Sequence, residues 1–277
     1  GLPLLAVLCV IAVWKTSSMI SFSDIWNAGP VSTPITIPMG VAAVVGSFAV
    51  GVTMVGDFSR FSKSKRDCII GVSIGHCWGY IPILMCGAFF NYAFHNWNIV
   101  EIMILSLGLG LFGALVLIIG QWTTNDNNLY TSVLGLMNTL DGISKVPRMR
   151  LTLIVGLIST AIAAVGLYKY FVTFLSLLGV FITPIGGILI ADFYICNRKN
   201  YDGGDVPQGI KWDAIVSWAV ASFVGVTMTA RPVGLGWFVA VGDVIPVPLI
   251  CIAVAMVLYV VSQKLQNRKL QNKAGAV

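Results

Sequence analysis

The chain has 277 residues, of which 57% are hydrophobic and only 10% charged, with a formal net charge of +6 and a mean hydropathy of +0.88. A soluble domain carries about 25% charged residues, so this composition excludes a water-soluble fold and leaves an integral membrane protein. The basic surplus falls in the loops between apolar runs, where it acts as an orientation signal rather than a nucleic-acid footprint.

The first apolar run, Leu2 to Trp14, is shorter than the roughly 20 residues that a helical span needs. A signal peptide is one reading of it, but no basic residue precedes Leu2 and no initiator Met is present. Residues 1–14 therefore read as the end of a span that begins upstream, in the C-terminal part of a longer protein. Lys15 to Pro38 form a loop with turn chemistry at Asn27-Ala28-Gly29-Pro30 and short surface helices at most. Full helical spans are predicted near 36–60, 68–94, 102–129, 150–168, 171–196, 213–230 and 238–262, with 263–277 as a tail. The fold class is an all-α polytopic membrane protein, with residues 1–277 as one incomplete membrane domain.

Orientation follows from the loops. One alternating set holds Arg60, Lys63, Lys65, Arg66, Lys145, Arg148, Arg150, Arg198, Lys199, Lys211, Lys264, Arg268, Lys269 and Lys273, and the other holds Lys15, Lys169 and Arg231. Fourteen against three places the first set and the C-terminal tail in the cytoplasm.

Two spans carry glycine-rich interruptions. Gly46-Ser47-Phe48-Ala49-Val50-Gly51 sets two glycines around an aromatic, serving either close helix packing or local unwinding toward a ligand. Thr183-Pro184-Ile185-Gly186-Gly187 includes a proline that removes a backbone hydrogen bond, so a bend or hinge is expected there.

Gly120-Gln121-Trp122-Thr123-Thr124-Asn125-Asp126-Asn127-Asn128 directly continues the apolar run Ile102–Ile119. A lipid-facing helix does not tolerate such a polar load, so the run reads as the wall of a polar site. At 100° per residue, Gly120, Thr123, Thr124, Asn127 and Thr131 share one stripe flanked by Asp126 and Tyr130, while Gln121, Asn125, Asn128 and Ser132 lie toward the opposite side. Threonine hydroxyls and a carbonyl beside glycine suit a hard cation such as sodium, although threonines in spans also bond back to the preceding turn. Asn and Asp offer directional groups able to read a heterocycle's edge, or they cap a wet helix end.

Six cysteines scattered through apolar segments, without C-x-x-C spacing, read as small buried hydrophobes. His76 and His95 are too few for a metal site, and His76, inside a span, keeps a proton-relay reading. Asp57 and Asp192, each followed by Phe at the end of a span, read as loop anchors paired with Arg60 and Arg198. No nucleophile elbow, His-Glu-x-x-His or dinucleotide fingerprint is present, so nothing points to an enzyme.

Trp122-Thr123-Thr124-Asn125-Asp126-Asn127, Gly46-Ser47-Phe48 with Asp57-Phe58 and Arg60-Phe61, and Pro184-Ile185-Gly186-Gly187 before Ala191-Asp192 together resemble the nucleobase:cation symporter-1 family. The resemblance covers almost the whole chain in order. It implies a twelve-span fold whose first ten spans form two inverted five-helix repeats with discontinuous helices, this chain being the end of span five and spans six to twelve. It implies a carrier that imports a nucleobase, cytosine foremost, in symport with sodium or a proton by alternating access, with no organic cofactor. The site would lie at the midplane between the two repeats, so the upstream spans of the same protein would be needed to complete it.

By the same resemblance, the Gly120 carbonyl, Thr123 and Thr124 are sodium ligands. Phe48, at a break in its span, stacks on the base, with Gly46 and Ser47 beside it, and Asn125, Asp126 and Asn128 contact substrate or gate. Val50 stands where cytosine-carrying relatives have a small hydroxyl residue, so a purine, a hydroxymethylpyrimidine or an allantoin-like heterocycle is the alternative substrate. A non-transporting scaffold or receptor of the same fold is the alternative function.

Overall fold

The computed structural model describes residues 2–27, 29, 36–96, 98–140, 146–166, 170–196 and 210–274. The side chains of residues 2, 22, 52, 53, 58, 76, 77, 140, 171, 172 and 267–274 are outside that description. Asn27-Ala28-Gly29-Pro30, the His76 side chain and Arg198 thus fall wholly or partly outside the described residues.

The described chain is helical and contains no strand. In order the helices are α1 (Leu2–Ser17), α2 (Phe22–Trp26), α3 (Ile37–Ser59), α4 (Lys65–Ile74), α5 (Ile81–Phe94), α6 (Ile99–Glu101) and α7 (Gly110–Leu140). They are followed by α8 (Arg148–Ala164), α9 (Phe171–Phe181), α10 (Thr183–Ala191), α11 (Trp212–Met228), α12 (Val239–Gly242) and α13 (Val247–Ala274). π-Helical turns join α4 to α5 at Gly75–Tyr80, precede α7 at Ile102–Ser106 and extend α10 at Asp192–Cys196.

Local chemistry sets several boundaries. Ser21 and Asp24 form a capping box that starts α2, Ser64 accepts from the Asp67 N–H at 3.1 Å to start α4, and Asn98 caps α6. The run predicted as one span over 102–129 is divided. The Leu107 N–H closes the π turn on the Ile102 carbonyl at 2.8 Å, and Gly108 and Gly110 then take φ of +61° and +51°, which side chains with a Cβ avoid. α7 begins there and continues past 129 to Leu140. The span predicted over 238–262 is similarly divided, because α12 ends at Gly242 and α13 begins at Val247 and runs on to Ala274, through most of the expected tail.

At Thr183-Pro184 the helix is only locally irregular, because Ile182 keeps right-handed helical φ and ψ of −92° and −38° and its N–H bonds the Leu178 carbonyl at 2.9 Å. α9 and α10 meet at Ile182, and the Thr183 hydroxyl bonds back to the Gly179 carbonyl at 2.5 Å.

The chain divides into two compact units. The first comprises 1–34 and 57–165, the second 35–56 and 166–277. The first unit's core gathers Leu8 and Ala12 of α1, Phe89 and Phe90 of α5, Ile102, Met103 and Leu107 before α7, and Val116 within it. The second unit's core is Ile188 and Ala191 of α10, Ala221 of α11, and Ala255 and Tyr259 of α13. There α10 and α13 approach backbone to backbone, and a Cβ on Gly187 would lie 2.6 Å from the Ile252 carbonyl oxygen. Small residues allow this close approach, as in membrane helix packing generally.

Four helical stretches among the described residues are long and apolar enough to cross a membrane: Ile37–Asp57, Lys65–Phe94, Thr173–Cys196 and Val247–Gln266. The shorter apolar helices Pro3–Ser17 and Trp212–Met228 accompany them. α7 spans 31 residues, but its polar stretch keeps it out of this set. Large apolar side chains such as Trp78, Leu111 and Val165 are three-quarters or more exposed, an arrangement suited to lipid and not to water.

Candidate functional site

The polar stretch of α7 is regular helix throughout. Thr123 donates its hydroxyl to the Gly120 carbonyl at 2.9 Å, and Thr124 approaches the same oxygen at 3.5 Å. One turn thus collects the three oxygens expected to bind sodium. Gly120 is itself buried under α1, where a Cβ would run into the Leu5 side chain. Further along, Thr131 donates to the Asn127 and Asn128 carbonyls at 3.0 and 3.2 Å, and Ser132 to Asn128 at 2.6 Å.

Gln121 to Asn128 are all exposed within this chain. The side chains of Asn125, Asp126 and Asn128 make no hydrogen bond among the described residues. Stability of the described fold therefore gives no reason for their presence.

The second expected group lies on α3. Gly46 is buried against the backbone of α9, where a Cβ would meet the Leu175 carbonyl. Ser47 bonds back to the Val44 carbonyl at 2.7 Å. Phe48 is half-buried, with its ring lying over Gly51, where a Cβ would strike it. The two glycines thus serve helix approach and ring placement. α3 runs unbroken from Ile37 to Ser59, so the break expected at Phe48 is absent.

The structure therefore gathers Gly120, Thr123 and Thr124 on one turn of the first unit, and Gly46, Ser47 and Phe48 on one turn of α3 in the second. Neither group lines either of two cavities formed by described residues. One, of about 300 Å³, lies among α3, α9, α11 and α13 and is edged by Arg231 and Asp243. The other, of about 610 Å³, is walled by α1 and α5 residues including Cys9 and Cys86.

Two polar clusters escaped the sequence reading. Asp192, 5% exposed, accepts from the Tyr259 hydroxyl at 2.5 Å and lies 3.5 Å from the Lys211 ammonium, while Arg198, its expected partner, lies outside the described residues. Gln263 joins by donating to Asp213 and, at 3.3 Å, to Tyr259. The available signal was Tyr259 and Gln263 at i, i+4 where the apolar part of α13 gives way to its polar end. The second cluster takes Arg60 away from Asp57, because its guanidinium donates to the Tyr130 hydroxyl at 2.7 Å while Arg148 stacks on the same ring.

Residues 2–245 match the family described as permease for cytosine/purines, uracil, thiamine, allantoin. The chain is also 32% identical over 227 residues to cytosine permeases of Escherichia coli K12 and of the O6:H1 and O157:H7 strains, covering 81% of this chain and 52% of each relative. The chain belongs to this permease family. It is a multi-pass helical membrane protein, and it spans about half the length of the curated relatives it matches.

Proposed function

We propose that the protein containing this chain is a plasma-membrane secondary transporter that imports a nucleobase, most directly cytosine, in symport with sodium or a proton. Transport would proceed by alternating access across twelve spans with five-plus-five inverted repeats, the upstream spans completing the site and the C-terminus lying in the cytoplasm. No covalent bond is made or broken, and no organic cofactor takes part.

The observation that carries the reading is the Gly120, Thr123 and Thr124 oxygen cluster beside Asn125, Asp126 and Asn128, whose side chains have no hydrogen-bond partner among the described residues, in a chain similar to cytosine permeases. At 1.5 Å per residue from Gly110, Gly120 lies about 15 Å and Thr124 about 21 Å along α7, in the middle part of a hydrocarbon core about 30 Å thick. Hard cations of sodium's size take oxygens at about 2.4 Å, so two ligands at right angles stand about 3.4 Å apart. The 2.9 and 3.5 Å separations are compatible with that spacing once the hydroxyl hydrogens rotate away. Phe48, with Gly46 and Ser47, would supply the stacking surface for a planar base, since offset ring stacking suits a pyrimidine.

Cells lacking their own cytosine carrier and expressing the upstream-extended protein test the reading. They should accumulate labelled cytosine, and unlabelled cytosine should compete better than a purine, uracil or allantoin. Stronger competition by another heterocycle would replace cytosine as substrate. No accumulation of any of them by an inserted protein would favour a scaffold and overturn transport.

A further inference from the structure

Two helix ends meet on Tyr130, which lies within α7. Arg60, just past the end of α3, donates to its hydroxyl at 2.7 Å, and Arg148, the first residue of α8, holds its guanidinium carbon 4.7 Å from the ring centroid. Two like charges thus meet on one neutral ring. Neither arginine forms an ion pair with a carboxylate among the described residues.

An orientation signal alone needs basic residues on one side of the membrane, but it does not need two guanidiniums focused on one side chain. Placed so, they leave most of their N–H donors without a hydrogen-bond partner among the described residues, and α8 adds an N-terminus that no side chain caps. Such a concentration of fixed positive charge calls for an anion. Guanidinium forks match phosphate oxygens in bidentate fashion.

The depth and the neighbours select which anion. Tyr130 lies 20 residues beyond Gly110 on α7, about 30 Å along the axis, which equals the thickness of the hydrocarbon core. If the core begins near Gly110, the cluster stands at the opposite membrane–water boundary. Phe61 and Met149, each adjacent in sequence to one of the arginines, are 73% and 75% exposed, and the Phe61 ring lies 4.9 Å from the Arg60 guanidinium. Lys63, Lys65, Arg66 and Arg150, close in sequence to the two arginines, add exposed charge. Apolar footing beside paired guanidiniums at this depth fits a molecule with a phosphate head and acyl tails.

We propose that Arg60, Arg148 and Tyr130 form a headgroup site for an anionic phospholipid, in the leaflet that receives the basic loops. The test uses the upstream-extended protein purified in mild detergent, titrated with phosphatidylglycerol, phosphatidylcholine or inorganic phosphate. Native mass spectrometry would read retained lipid, and thermal melting would read stabilisation. Phosphatidylglycerol should be retained at least tenfold better than phosphatidylcholine and should raise the melting temperature, while inorganic phosphate should not.

Arg60→Gln with Arg148→Gln should abolish that preference, whereas Lys264→Gln, which also removes an exposed basic charge but lies in the other unit, should preserve it. Arg60→Lys with Arg148→Lys keeps the charge and loses the fork. It should insert normally and lose preference several-fold, which decides the question if the glutamine pair fails to insert. Equal retention of the two lipids, equal stabilisation by inorganic phosphate, or unchanged preference in the lysine pair would overturn the assignment.

Discussion

Gly120 and Gly187 both sit where a neighbouring helix presses close, yet the same added methyl meets different obstacles. At Gly120 it meets the Leu5 side chain, which has rotamers to move into; at Gly187 it meets the Ile252 backbone 2.6 Å away, which does not yield without moving α13. Overpacking costs about 1–3 kcal/mol where it is partly relieved and more where it is not. Gly120→Ala is therefore expected to lower the melting temperature slightly and Leu5→Ala to offset part of that loss, whereas Gly187→Ala should lower it by at least twice as much, as read by thermal melting in detergent. Asn125, Asp126 and Asn128 present the opposite case. Because they form no hydrogen bond within the described residues, Asn125→Ala and Asp126→Asn are expected to reduce cytosine uptake at least tenfold with little change in melting temperature. Equal loss of stability and uptake would assign them a structural role. The Gly120, Thr123 and Thr124 grouping was legible in sequence because spacings of three and four residues fix neighbours on any helix.

Among the helices, α10, α11 and α13 are tied by polar contacts at the end of the second unit. Asp192 is 5% exposed, and the Tyr259 hydroxyl is its 2.5 Å partner, while Lys211 stands farther off at 3.5 Å and is partly in solvent. A hydrogen bond to a buried charge contributes about 1.5–3 kcal/mol, and a partly exposed ion pair contributes about 0–1 kcal/mol. Tyr259→Phe should accordingly destabilise the protein clearly more than Lys211→Met in the same melting assay, and a larger effect from Lys211 would reverse the assignment of strength. This tie was not legible, because 67 residues separate Tyr259 from Asp192. The break before α7 was missed for another reason. Gly108 and Gly110 stand in an apolar run where glycine ordinarily signals close packing, and only their positive φ values distinguish a turn. Conversely, Gly46 and Gly51 left close packing and local unwinding both open, and only the resemblance implied a break at Phe48; their missing Cβ atoms accommodate the Leu175 backbone and the Phe48 ring.

For the molecule as a whole, composition and run length were enough to read an all-helical membrane protein, because some 20 apolar residues must stay together to cross hydrocarbon. Orientation was read from 14 of 17 basic residues falling on alternate loops, and it can be tested directly. In a background without the six native cysteines, a cysteine at Lys63 should react with a membrane-impermeant maleimide only in inside-out vesicles, and one at Ser21 only in intact cells. Labelling of the two from the same side would exclude the proposed topology. Which base the proposed carrier takes was not legible from these residues, since Asn, Asp and Phe recognise many planar heterocycles. The central claim, that the oxygens on α7 couple a cation to nucleobase movement, is met most directly by cytosine uptake measured against external sodium. Uptake by the upstream-extended protein should rise with sodium and saturate, and Thr124→Ala should raise the sodium needed for half-maximal uptake at least tenfold. Uptake indifferent to sodium in the parent, or an unaltered sodium response in Thr124→Ala, would contradict the assignment of this turn as the ion site.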